Sequence, residues 1–216
     1  VANLQDDQNR LTGEMSHLAP LTSLSDEQLA EQAQEGCLAS FGELVRRYQV
    51  PVFHFLQRKC RSVSDAEDLT QETFLRAFRK LSHYRVDSPF RPWIFTVAYR
   101  IALNSMRGRR YSTVGENENN FPVAEVDCQL ERSEERLQLW DAVQAELTPV
   151  QFTAVWLFYV EEFNVREIAR VIRKSESAVK TMLCRARKLL VHRLRGYAED
   201  KGITVAKHTI ASSKTA

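Results

Sequence analysis

Apolar residues along this chain recur at three- and four-residue steps, with no sustained alternating β-branched run, so the pattern predicts an all-α protein. The periodicity begins at Leu24. Ser25 and Gln28 have capping-box spacing, Leu24 and Leu29 flank them as a hydrophobic staple, and Gly36 supplies a C-terminal stop. Ser40 with Glu43 predicts the start of a second helix, whose buried stripe is Phe41, Leu44, Val45, Tyr48, Val52, Phe55 and Leu56. Pro51 lies off that stripe and predicts a kink near Gln49 rather than a new element. Ser64 with Glu67 predicts the start of a third helix, with Ala66, Leu69, Thr73, Ala77 and Leu81 inward. Pro92 opens a fourth, carrying Trp93, Ile94, Val97, Ala98 and Ile101 inward. It ends in Arg107, Arg109 and Arg110, where cations complement the backbone dipole.

From Tyr111 to Arg132 the stripe is lost, and Glu116, Glu118, Glu125, Asp127 and Glu131 make the segment acidic. Such a stretch predicts a flexible linker between two small helical domains. Periodicity returns over about Ser133 to Leu147, with Leu137, Trp140 and Val143 inward. Thr148, Pro149 and Gln151 then cap a helix running to about Glu162. Asn164 and Glu167 cap the next helix, packed by Ile168, Ala169, Val171 and Ile172; Arg173 and Lys174 fill a turn, and Ser175 caps the helix after it. Val179, Met182, Leu183, Ala186, Leu189 and Leu190 are its expected core face. The expected organisation is a flexible leader (1–22), a first helical domain (23–110), the acidic linker (111–132), a second domain carrying a helix-turn-helix (133–195) and a flexible tail (196–216).

Composition narrows the class. An apolar share of 44% with 27% charged residues is ordinary for a globular chain. The longest apolar run, Ala154 to Val160, is far too short to span a bilayer, and the N-terminal residues lack a secretory pattern. A soluble, cytoplasmic protein without membrane insertion is expected. Cys37, Cys60, Cys128 and Cys184 are scattered, with no CxxC pair and no His at ligand spacing, so neither a metal nor a cofactor is expected.

Charge is nearly balanced overall, at +2, yet ten Lys or Arg stand against two carboxylates between Arg166 and Arg195. A local excess of that size points to a polyanion, because each cation meeting a phosphate releases condensed counterions. Helical steps place Ser177, Lys180, Thr181, Cys184, Arg185 and Lys188 on the face opposite the core, where a recognition helix meets major-groove base edges. In the fourth helix Trp93, Tyr99, Arg100, Asn104 and Arg107 interleave aromatic, amide and basic groups, a composition suited to single-stranded nucleic acid. Asp65, Glu67, Asp68 and Glu72 crowd the outer face of the third helix. No His or metal-ligand partner accompanies them, which leaves helix-dipole stabilisation or a protein-docking face rather than acid–base catalysis.

Three stretches together resemble the small, two-domain extracytoplasmic-function (group 4) sigma factors of bacterial RNA polymerase: DAEDLTQETFLRAF (Asp65 to Phe78), FRPWIFTVAYRIALNSMRGRR (Phe90 to Arg110) and REIARVIRKSESAVKTMLCRARKLL (Arg166 to Leu190). The resemblance covers about Ser25 to Arg195. It implies a first domain that binds the clamp helices of the largest polymerase subunit through Asp68, Gln71 and Glu72 and melts the −10 promoter element. It implies a second domain that docks on the flap of the second-largest subunit and reads the −35 element with Lys180, Thr181, Cys184 and Arg185. An anti-sigma inhibitor is a further implied partner, and no enzymatic activity is implied. Two stretches depart from the family pattern: Arg100 and Asn104 replace a usual Asn and Asp, and Ser177-Ala178 replaces Gly-Thr. The rival readings are a stand-alone helix-turn-helix repressor or activator and, more remotely, a DNA-processing enzyme.

Overall fold

The computed structural model describes residues 20–60, 62–112 and 130–200, with side chains over 20–60, 62–106 and 138–191. The chain divides into two compact units, Val1–Ala124 and Glu125–Ala216. Among the described residues the regular structure is entirely helical.

The first unit is built from α1 (Asp26–Gln34), α2 (Leu38–Gln57), α3 (Val63–Lys80), a 3-10 turn (Leu81–His83) and α4 (Phe90–Ser112). The capping box at Ser25 and Gln28 is present in both directions, satisfying two of the amides that a helix start leaves orphaned. The start of α2 corrects the sequence reading. Cys37 stands at the N-cap and makes no side-chain cap bond, while Ser40 and Glu43 are buried inside the helix. Ser40 Oγ donates to Gln32 Oε1 at 2.7 Å, tying α2 to α1. Glu43 accepts from Arg46 and Arg47, whose guanidiniums hold its carboxyl down to about 2. Pro51 lies within α2 and begins no new element. The start of α3 is also earlier than expected: Ser62, not Ser64, caps it, accepting from the Asp65 amide.

Arg47 draws the segment before α1 into the fold. Its guanidinium donates to the carbonyls of Leu21, Thr22 and Leu24 and to Asp26 Oδ1. Leu21–Ser23 accordingly forms a 3-10 turn, so the expected flexible leader stops short of these residues; residues 1–19 lie outside the description. The core closes around Leu44, Val52, Phe55 and Leu56 of α2, Ala66, Thr73 and Ala77 of α3, and Ile94, Phe95, Ala98 and Ile101 of α4. Leu29 of α1 is fully buried with them, and Phe55 meets Phe95 edge-on at 5.4 Å. Such edge contacts add to the apolar burial that drives assembly.

The second unit comprises α5 (Leu130–Glu146), α6 (Pro149–Tyr159), α7 (Val165–Ile172) and α8 (Glu176–Asp200). Its core packs Trp140 on Trp156 at 4.9 Å, with Phe152 edge-on to Trp140. The buried Trp156 indole donates to Glu161, itself 3% exposed, so both groups keep a partner away from water. Helix α6 ends at Tyr159, sooner than the sequence indicates, because Glu162 turns left-handed at φ 53°. Helix α4 reaches Ser112, α5 starts at Leu130 and α8 continues to Asp200. The expected linker and tail therefore lose Tyr111–Ser112, Leu130–Arg132 and residues 196–200 to helices; 113–129 and 201–216 lie outside the description.

Candidate nucleic-acid interface

In the second unit the geometry of α7 and α8 follows from three local devices. Asn164 and Glu167 form a reciprocal capping box at the start of α7. Arg173 then adopts left-handed φ 54°, ψ 54°, and the Lys174 amide closes on the Ala169 carbonyl at 3.0 Å. Ser175 Oγ accepts from the Ala178 amide and starts α8. A non-glycine residue in this conformation carries a steric cost of about 1–2 kcal/mol. Arg173→Val is therefore expected to destabilise the second unit by about 1–2 kcal/mol, because β-branching aggravates that clash. Arg173→Gly should leave its stability equal or higher. Urea denaturation compares the two; equal midpoints would refute the strain.

Helix α8 buries Val179, Leu183, Ala186 and Leu190 against Ile168, Val171 and Ile172 of α7. The opposite face presents all six expected residues to solvent: Ser177, Lys180, Thr181, Cys184, Arg185 and Lys188. Leu189, expected in the core, is 39% exposed and belongs to neither face. Thr181 Oγ1 donates back to the Ser177 carbonyl, and the hydroxyls of Ser175 and Ser177 lie 3.1 Å apart. Arg187 turns away from this face: its Nε donates to the Tyr159 hydroxyl, with the guanidinium 5.1 Å from the Phe158 ring centroid. What remains is a cationic, hydroxyl-bearing helical face of the size a major groove admits.

In the first unit a groove of about 500 Å³ runs between α3 and α4. Trp93, Thr96, Val97, Arg100 and Asn104 form one wall, and Arg76, Lys80 and His83 form the other. Trp93 is half-buried and buttressed by Tyr84 at 5.2 Å and Phe90 at 5.4 Å. Gln34 of α1 holds the turn between α3 and α4, donating to the carbonyls of both Leu81 and Tyr84 at 2.7 Å. Glu27 accepts from the Phe90 amide at 3.1 Å and so caps the start of α4 from a neighbouring helix. The ionisable side chains of this lining are basic, and one rim carries an indole.

The structure brings Trp93, Arg100 and Asn104 together but removes Tyr99 from that set. Tyr99 is 7% exposed, on the core side of α4, with the Lys59 ammonium 5.8 Å from its ring centroid. Its backbone position, six residues after Trp93, turns it away from a face defined by Trp93, Val97, Arg100 and Asn104. Arg107 lies on α4, its side chain outside the description. Sequence reading missed Arg76, Lys80 and His83, which share one side of α3 and the following turn. Their spacing was available, but nothing local says which side of α3 faces α4.

On α3, Asp68 and Gln71 are exposed and Glu72 is partly so, forming a stripe that continues to Leu75, 58% exposed. Glu72 is paired with Arg76 one turn on. Among the described residues no His, Cys, Asp and Glu side chains gather in a group that could hold a metal, and no helix is long and apolar enough to cross a membrane.

Comparison with known proteins finds a family match in each unit. Residues 44–111 match Sigma-70 region 2 and residues 137–190 match Sigma-70, region 4. The ECF RNA polymerase sigma factor BldN of Streptomyces coelicolor is 34% identical over 173 residues, spanning 77% of this chain and 65% of that protein. The RNA polymerase sigma-H factor of Pseudomonas aeruginosa is 30% identical over 181 residues, 79% of this chain and 94% of that one. Among solved structures, CnrH in complex with the cytosolic domain of CnrY shares the fold, with a TM-score of 0.62 at 24% identity, covering 79% of this chain and 97% of CnrH. With a helix-turn-helix in one unit, an aromatic and basic groove in the other, and both family regions in order along the sequence, the chain belongs to the extracytoplasmic-function sigma factors of the sigma-70 family.

Proposed function

We propose that this sigma factor binds core RNA polymerase through the α3 stripe of Asp68, Gln71 and Glu72 and directs it to promoters whose −35 element is read by α8. Ser177, Lys180, Thr181, Cys184, Arg185 and Lys188 are the proposed readers, and their common exposure on one face supports this. The α3/α4 groove then takes the melted −10 strand. A base stacks on Trp93, while Arg100 and Asn104 contact its edge or the adjoining phosphate. Melting costs a few kcal/mol for each unstacked base, and capture of the single strand offsets that cost.

The observation that carries the reading is the presence, in one chain, of a helix suited to duplex DNA and a separate groove suited to an unstacked base. A stand-alone repressor has no use for the groove. The protein has no catalytic role of its own and works in the cytoplasm, where its polymerase is. The second unit also docks on the flap of the second-largest subunit, and the acidic linker (111–132) joins the two activities. An anti-sigma factor is the proposed regulator, a partner class suggested by the complex of the sigma factor RpoE with the anti-sigma factor NepR from Bartonella quintana.

Purified core polymerase is expected to yield promoter-specific transcripts only when this chain is added. Glu72→Lys, which reverses charge on the docking stripe, should weaken polymerase binding by about tenfold. Tight operator binding without polymerase, together with no transcript in its presence, would instead establish the repressor.

A further inference from the structure

Glu72 and Arg76 stand one helical turn apart on α3, and the Arg76 Nη2 donates to Glu72 Oε1. The pair joins two surfaces that are otherwise separate on this helix. Glu72 belongs to the exposed stripe with Asp68 and Gln71, whereas Arg76 lines the groove with Lys80, His83, Trp93 and Arg100. A guanidinium at that position is suited to a nucleic-acid phosphate, since it can present two parallel donors to one anion. In the free chain part of that capacity is spent on the neighbouring carboxylate.

We propose that Arg76 is a DNA-contacting residue of the groove and that Glu72 restrains it, so that docking of Glu72 on polymerase releases Arg76 for the melted strand. This rests on the reading of the groove as a single-strand site and of α3 as the docking helix. The side chains are 39% and 46% exposed, and exposed pairs at this spacing are weak. A cation on the polymerase surface can therefore take the carboxylate, and a phosphate can take the guanidinium, without a large opposing barrier. Linkage makes the effect reciprocal: whatever factor docking contributes to strand capture, strand capture returns to docking. Asp68 provides an internal contrast. It carries the same charge on the same stripe, yet stands eight residues from Arg76, about 12 Å along the helix.

The test uses the full chain without polymerase and a short, fluorescently labelled AT-rich single strand, with excess unlabelled duplex present to occupy α8. Glu72→Gln should raise single-strand affinity by about twofold to fivefold, the range an exposed pair can supply. The gain should disappear when Arg76→Ala is already in place. Asp68→Asn should give a smaller gain that Arg76→Ala does not alter. Equal gains from Glu72→Gln and Asp68→Asn would reduce the effect to net charge and overturn the proposal. So would a Glu72→Gln gain that survives the loss of Arg76. Unchanged affinity in Trp93→Ala would sink the groove reading itself, and the proposed restraint with it, whereas loss of affinity there alongside a failed Glu72–Arg76 cycle would sink the restraint alone.

Discussion

Arg185→Ala is expected to lower initiation at a promoter with an intact −35 element by about tenfold to a hundredfold while leaving polymerase affinity unchanged. The magnitude follows from the 1–3 kcal/mol of discrimination, roughly, that a bidentate side chain gives at a guanine edge. The locality follows from α8. Arg185 is exposed on the face opposite Val179, Leu183 and Ala186, so truncation leaves the core intact. Arg187, two residues on, is the matched control. Its guanidinium is engaged by Tyr159 and Phe158, and Arg187→Ala should loosen the packing of α6 on α8 without changing promoter preference. Transcription from templates altered one base pair at a time reads the difference. If Arg185→Ala impaired polymerase binding instead, the assignment of this face to DNA would be wrong.

Phe95→Ala should destabilise the first unit by about 3–5 kcal/mol, the cost of emptying a large aromatic site in a packed core. Phe95 is fully buried against Phe55, and its neighbours on α4, Ile94 and Ala98, are buried as well, so the cavity has little freedom to collapse. A loss of that size is a large fraction of the roughly 5–15 kcal/mol that holds a domain together. Trp93→Ala makes the instructive comparison. Trp93 is larger but only half-buried at the groove, so its removal should cost less stability and more promoter opening. Denaturant unfolding measures the first quantity, and transcription from duplex against pre-melted templates measures the second. If Trp93→Ala were fully active on duplex promoters, the indole would be core support and nothing more.

Much of the helical framework was legible in the residues. The capping boxes at Ser25, Thr148 and Asn164 form as their spacing predicts, because they depend only on groups three residues apart. The exposed face of α8 was legible for the same reason: a helix of known phase with one apolar stripe determines its own opposite side. The failures share a cause. Ser40 and Glu43 have capping-box spacing, yet contacts with Gln32, Arg46 and Arg47 draw them into the interior of α2. Ser62 and Ser64 compete for one cap, and local pattern alone does not choose between them. Tyr99 has the composition of a nucleic-acid contact, but the broad buried face of α4 takes it inward.

By itself, then, the residue order determined the helical class, the turn that aims α8, and the cationic face that α8 displays, all consequences of interactions within a few residues. The groove was decided only in three dimensions. Arg76, Lys80 and His83 meet Trp93, Arg100 and Asn104 because α3 packs on α4 in one particular rotation, held by Gln34 and Glu27 from α1. The Glu72–Arg76 pair is a local contact, but its place between an exposed stripe and a groove comes from the same packing. Short-range hydrogen bonding and periodicity can be read along a chain; which faces of two helices meet depends on burial summed over the whole core.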